Sequence, residues 1–324
     1  MNTPRLIGDR EVSALGFGCW AIGGPFSDPD GKPLGWGEVD DDESIAAIRR
    51  AMELGVTFFD TADVYGAGHS ERVLGRAIAG HRDEVVIASK WGNVFDEHTK
   101  VRTHADNSPE YMNKAIRATL GRLGTDYLDL YQLHSAPTPE EAEPLADAAE
   151  ALVKEGLIRG YAWSTDDPAR AAAWADRPGY VAVQHECSVL HDAPELIDLC
   201  EQHNLASINR TPLAMGLLGR RDHTRPTTTA DIRSAAPEWL RFFKDGVPTP
   251  EWSRTVNDLR DILTSDGRTL AQGALAWLLA RSNRTIPIPG FRNTTQVEDN
   301  AGVLTHAPLT EEQLKEIATL QAPA

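Results

Sequence analysis

Four polar residues stand at or just beyond the ends of three separate apolar runs: Asp60, Tyr65, Lys90 and His134. Asp60 closes the run 56–59, and Tyr65 lies just beyond it. Lys90 closes 85–89, and His134 closes 128–133. An acid, a phenol, an amine and an imidazole at equivalent positions could share one pocket. A free phenol has a pKa of about 10 and releases its proton reluctantly at pH 7. A neighbouring ammonium favours the phenolate and lowers that value. Lys90 can supply the charge, and Asp60 can hold Lys90 and keep it protonated. His134 can donate a hydrogen bond to a carbonyl oxygen that is gaining negative charge. Such a set suits nucleophilic addition to an aldehyde or ketone, with Tyr65 protonating the oxygen. The nucleophile is missing from the side chains, and a hydride carrier would provide it. Taken singly, each residue has a bland reading: a helix cap, a loop aromatic, a surface charge, a hydrogen-bonded histidine. Their conjunction at strand ends favours the functional one.

The elements that must position these groups follow an alternating rhythm. A hairpin is expected over 5–13, turning at Gly8-Asp9. Strands are expected at 14–19, 56–60, 85–89, 127–133, 158–163, 180–184, 206–209 and 285–288. Helical patterns separate them at 40–54, 70–79, 109–121, 139–155, 167–176, 193–203 and, in two parts, 252–281. Asp40 to Glu43 open the first helix, with acids at its positive end, and Gly55 ends it. Eight apolar strands alternating with amphipathic helices predict a parallel sheet closed into a (β/α)8 TIM barrel. The N-terminal hairpin would precede it. Long connections at 24–38 and 212–250 would lie over the C-terminal face. No linker divides the chain, so residues 1–324 are expected to form one domain.

Composition excludes some classes of function. The 324 residues include 48 acidic and 32 basic side chains, a formal net charge of −16. That balance argues against nucleic acid or an anionic membrane as the main partner. Cys19, Cys187 and Cys200 form no C-x-x-C pair, which argues against a zinc or dithiol centre. So few cysteines, no signal-like apolar segment and no apolar stretch of spanning length lead to the expectation of a cytoplasmic protein. Cys187 is expected to be a buried thiol.

The text around the four residues resembles the aldo-keto reductase superfamily. Residues 58–66 (FFDTADVYG) carry the F-D-T-A-x-x-Y-G segment, and 88–92 (ASKWG), 126–134 (DYLDLYQLH) and 286–290 (IPIPG) follow in the family's order. The likeness runs from about residue 5 to 305. It implies a (β/α)8 barrel, NADPH-dependent carbonyl reduction and no metal. By position, Tyr65 would be the general acid, assisted by Asp60, Lys90 and His134. Ser164 and Gln184 would hold the nicotinamide carboxamide. Arg210, Pro212, Leu213, Gly216 and Leu218 lie in the stretch resembling the pyrophosphate loop. Gly290, Arg292, Gln296, Asp299 and Asn300 match the adenosine end. There, a helix terminus and Arg292 would suit a 2′-phosphate and favour NADPH over NADH. This chain departs from the common pattern in places. Arg210 stands where an aromatic residue often stacks on the nicotinamide, and a guanidinium plane can also stack. Thr165 replaces a common Asn, and Cys187 stands where a Tyr is frequent. A lysine after the strand-seven glycines is absent, with Arg220 as its substitute.

The substrate is expected to be a small carbonyl compound. Trp20, Phe26, Trp36, Trp91 and parts of 220–250 are the candidate pocket residues, which points to apolar or aromatic compounds; sugar-like ones stay open. Two other functions remain. One is a Schiff-base aldolase using a neutral Lys90, against which an adjacent Asp60 argues. The other is a cofactor-sensing regulatory subunit without turnover. The oligomeric state and the direction of the reaction are not legible.

Overall fold

The computed structural model describes residues 3–219, 228–235, 237 and 239–321. Strands β1 (Arg5–Ile7) and β2 (Arg10–Val12) form an antiparallel hairpin, as expected. The barrel opens with β3 (Gly16–Gly18), α1 (Asp41–Glu53), β4 (Phe58–Asp60), α2 (His69–Ala77) and β5 (Val86–Trp91). A second hairpin follows, β6 (Asn93–Asp96) with β7 (Val101–Ala105). Next come α3 (Pro109–Leu123), β8 (Leu128–Leu133), α4 (Pro139–Glu155), β9 (Ile158–Ser164), α5 (Pro168–Ala173), β10 (Tyr180–Glu186), α6 (Pro194–Gln202) and β11 (Ala206–Arg210). The long connection holds α7 (Ile232–Ala235) and a short hairpin, β12 (Phe243–Lys244) with β13 (Val247–Pro248). The chain ends with α8 (Pro250–Leu263), α9 (Leu270–Arg281), β14 (Thr285–Pro287), α10 (Thr294–Ala301) and α11 (Glu311–Gln321).

Eight strands form one sheet in the order β14-β11-β10-β9-β8-β5-β4-β3. A parallel bridge from Gly18 to Gly290 joins its two edges, and Gly18 N donates to Pro289 O at 3.1 Å. The result is the (β/α)8 barrel expected from the rhythm. Successive strand residues point to opposite faces. Phe58, Val86, Ala88, Leu130, Ala162, Ile208 and Ile286 therefore fill the interior, while Phe59, Ile87, Tyr131 and Trp163 pack against the helices. Ile7 and Val12 of the first hairpin join the interior cluster and plug the bottom of the barrel. Gly16 keeps its strand close to its neighbours, because a Cβ there would stand 2.5 Å from the Phe58 ring.

Helix ends follow their local chemistry. Asp40 accepts from the amides of Asp42 and Glu43 at 2.9 and 3.0 Å, and Gly55 adopts a φ of 85° after α1. Thr138 with Glu141, and Thr269 with Gln272, close reciprocal capping boxes.

Several boundaries differ from expectation. β3 is three residues long, not six, because Cys19 already begins a tight turn. α5 stops at Ala173, since Trp174 leaves helical geometry to pack beneath Trp163 at 4.8 Å. The hairpin β6–β7 and helices α10 and α11 are additions to the expected set.

Candidate active site

β4, β5 and β8 are adjacent in the sheet, so their C-terminal ends bring Asp60, Lys90 and His134 together. The Lys90 ammonium has no exposed surface. It donates to Asp60 Oδ2 at 2.5 Å, Thr61 O at 2.8 Å and the Tyr65 hydroxyl oxygen at 3.2 Å. Those three bonds use all its donors. Because the Tyr65 oxygen accepts from Lys90, its own O–H is free to point elsewhere. The His134 ring meets Tyr65 edge-on at 5.9 Å.

Asp60 is held on its other oxygen as well. Gln132 Nε2 and Gln184 Nε2 each donate to Asp60 Oδ1 at 2.7 Å. Gln132 escaped the sequence reading. Its signal was there: it lies two residues after Leu130 and so shares that inward face, where an amide needs a partner. Gln184 was expected to hold a carboxamide. Its amide nitrogen is committed to Asp60 and Gln132, so Oε1 is the atom it can offer a ligand.

Burial would lower the Lys90 pKa, but Asp60 and then Tyr65 outweigh it, and the net shift is upward. The amine is held charged, which argues against a Schiff-base role. Burial raises the Tyr65 phenol above its ordinary value, and Lys90 opposes this without overcoming it. The expectation of a net lowering is thus corrected: desolvation of the phenolate exceeds the pull of the ammonium. Burial, then Lys90 and Arg210, pushes His134 well below the usual imidazole range. The ring is neutral, and its Nδ1 has no partner among the described residues.

Asp60, Tyr65 and His134 line the floor of a cavity of about 1490 Å³. Ser164, Gln184, Arg210, Pro212, Leu213 and Gly216 line one stretch of its wall, and Gly290, Arg292, Gln296, Asp299 and Asn300 another. Leu218 does not reach it. Its apolar side chain is fully buried in the core, and Gly219 lines the cavity instead. Arg210 is paired with Asp166, and lies 3.8 Å from Glu186. Arg292 donates to Trp36 O at 3.3 Å and to Glu38 O. Arg220 lies outside the described residues.

Among the aromatic candidates, Trp20, Phe26 and Trp36 line the cavity. Trp20 stacks on Tyr65 at 6.0 Å and meets Trp36 edge-on at 5.4 Å. Trp91 does not. It follows inward-facing Lys90 on the same strand, so it points outward, is 2% exposed and packs at 6.1 Å from Tyr131. Trp239, from the long connection, takes a place beside Trp20 at 6.4 Å. Asn93 and Arg102 of the unanticipated hairpin also line the wall.

The two long connections meet over the barrel. Ile232 N donates to Gly35 O at 2.8 Å, and Trp36 bridges to Asp231. Arg233 donates to Asp231 and lies 4.8 Å over the Trp36 ring. No helix among the described residues is long and apolar enough to cross a membrane.

Comparison with known proteins agrees with this geometry. The model of the Aldo/keto reductase family matches residues 14–322. The aldo-keto reductase yakc [NADP(+)] of Schizosaccharomyces pombe is 30% identical over 328 residues, spanning 98% of this chain and 91% of that protein. The holo form of aldo-keto reductase AKR11C1 from Bacillus halodurans superposes with a TM-score of 0.80 at 27% identity, covering 99% of this chain and 96% of that one. An aldo-keto reductase from Klebsiella pneumoniae, solved in complex with NADPH, gives a TM-score of 0.71 at 28% identity, covering 100% and 96%. An eight-stranded barrel, an acid–lysine–tyrosine–histidine cluster at its strand ends and a match along nearly the whole chain agree: this protein belongs to the aldo/keto reductase family, whose members are oxidoreductases.

Proposed function

We propose that this protein reduces an aldehyde or ketone with NADPH, and that Tyr65 delivers the proton. The observation that carries this reading is the Lys90 ammonium bonded at once to Asp60 and to the Tyr65 oxygen. With its oxygen accepting from Lys90, Tyr65 can turn its proton towards a carbonyl oxygen in the cavity. As the proton leaves, the phenolate forms beside a fixed positive charge, which offsets part of the cost of burying it. Asp60 keeps that charge in place, and Gln132 and Gln184 keep Asp60 in place. His134, neutral and facing the cavity, can direct a ring N–H to the same oxygen and orient it.

The cavity wall fits a dinucleotide. From the floor it runs past Ser164, Gln184 and Arg210 to the N-terminus of α10, where Asn293, Thr295 and Gln296 are at the wall. Backbone turns at Thr211, Ala214, Met215 and Gly216 have φ values of 52°, 47°, 56° and 89°, an irregular path suited to close approach by a ligand. A helix N-terminus favours an anion, and Arg292 beside it can meet a 2′-phosphate. When bound, the reduced nicotinamide supplies the hydride that no side chain can.

The test is cofactor consumption by wild type and Tyr65→Phe on a panel of aromatic aldehydes, diketones and pyridoxal. Tyr65→Phe is expected to bind NADPH and lose turnover by about 100-fold or more. Wild-type rates in that variant would remove Tyr65 as the acid. Tight NADPH binding by wild type with no turnover on any compound would favour a sensing role.

A further inference from the structure

We infer that the substrate carries an oxyanionic group, a carboxylate or a phosphate, besides its carbonyl, and that Arg102 receives it. This rests on the carbonyl-reductase reading and names the substrate class for the same site.

Among the described residues six arginines line the cavity; besides Arg102, four face a carboxylate, and Arg292 lies at the expected adenosine end of the cofactor wall. Arg170 faces Asp167, Arg210 faces Asp166, Arg233 faces Asp231, and Arg241 lies 3.6 Å from Glu186. Arg292 donates to two backbone carbonyls. Arg102 has no carboxylate partner among the described residues. Its one side-chain bond is from Nε to Asn93 Oδ1, at 3.0 Å. Both terminal nitrogens, the pair that grips a carboxylate or phosphate side by side, are uncommitted. In a chain with 48 acidic and 32 basic residues, a wall arginine without a carboxylate is a place for an anion from outside.

The guanidinium is also held in position. Arg102 N donates to Ser27 O at 2.8 Å, pinning β7 to the first long connection. Asn93, which holds Nε, donates from its own amide to His134 O at 3.0 Å. The cation is therefore tied through one side chain to the strand end that carries His134. Its charge is felt there, adding to burial, Lys90 and Arg210 in keeping the imidazole neutral. The hairpin bearing Arg102 follows β5, four strands round the barrel from β11, whose end starts the expected pyrophosphate stretch. This is the wall left to the substrate. Trp20 and Trp36 flank the floor, so an aromatic or short aliphatic body between carbonyl and anion fits the lining.

The test compares three aldehydes with the NADPH-loaded enzyme: 4-formylbenzoate, 4-formylphenyl phosphate and the neutral methyl 4-formylbenzoate. Wild type should favour an acid over the ester in kcat/KM, mainly through KM, and the better of the two acids tells carboxylate from phosphate. In Arg102→Gln the acid-to-ester ratio should fall roughly 10- to 100-fold, as expected for losing a hydrogen-bonded charge. Arg102→Lys should keep an intermediate ratio, because it retains charge without the fork. A wild type that prefers the ester, or a ratio unchanged in Arg102→Gln, overturns the inference. The wild-type ratio needs no variant, so poor folding of a variant leaves the question decidable. Loss of turnover on the ester as well as on both acids in wild type would instead remove the reductase reading on which it rests.

Discussion

At the scale of single residues, the site is a matter of which atoms are already spoken for. Lys90 spends every N–H, Asp60 accepts three bonds, and the Tyr65 proton is what remains available. Arg292 shows the opposite condition. It is engaged with the carbonyls of Trp36 and Glu38, neutral acceptors that a phosphate would outcompete. Arg292→Ala should therefore weaken NADPH binding by roughly 10-fold or more and NADH binding much less. Dissociation constants by fluorescence titration check this, and an equal loss for both cofactors would remove the 2′-phosphate role. Residue identity made Asp60, Tyr65, Lys90 and His134 legible, because each stands at or just beyond the end of an apolar run. It did not separate Lys90 from Trp91. Only their adjacency on one strand shows that they face opposite sides, and the pocket assignment of Trp91 failed for that reason.

At the scale of elements, strands and most helices were legible because their periodicities are written locally. The hairpin β6–β7 was not, since its strands are four and five residues long and mix polar and apolar residues without a clean alternation. Its turn is organised by Asp96 accepting from the amides of His98 and Thr99 at 3.0 and 2.7 Å. That hairpin carries Asn93 and Arg102, so the missing element hid two wall residues. Helix packing is equally non-local. Gly75 of α2 lies so close to α3 that a Cβ would stand 2.4 Å from Leu123 O, whereas nothing lies within 4 Å of a Cβ at Gly121 of α3. Gly75→Ala should cost about 1–3 kcal/mol by overpacking. Gly121→Ala should gain about 0.5–1 kcal/mol through helix propensity. Urea midpoints that move in the same direction for both would contradict the packing argument.

At the scale of the whole molecule, barrel closure buries groups that titrate when the chain unfolds. His185 of β10 is fully buried, hydrogen-bonded to Ser207 Oγ at 2.7 Å and to Glu186 O at 3.1 Å. Burial, opposed by the Glu186 carbonyl, lowers its pKa to about 4. The folded value is below the unfolded one of about 6.5, so the unfolded chain takes up a proton first as pH falls. This contribution to stability is complete above pH 6.5 and is lost between there and about 4. It amounts to about 1.4 kcal/mol per pH unit within the window. His185→Gln should flatten the fall in urea midpoint between pH 6 and 4.5 relative to wild type; equal slopes would show that His185 does not titrate on unfolding.

The sequence by itself determined the element types, their order and the four chemical groups at the strand ends. Periodicity, caps and residue chemistry are properties of neighbours along the chain. Tertiary structure alone decided what surrounds those groups. Gln132 and Gln184 reach Asp60 across 72 and 124 residues. Arg292 reaches Trp36 across 256. Arg102 is left without an acid among the described residues, in a chain full of acids. Such partnerships depend on strand order and on which face each side chain takes. Both are settled when the sheet closes into a barrel, because closure chooses which distant strand ends share one cavity.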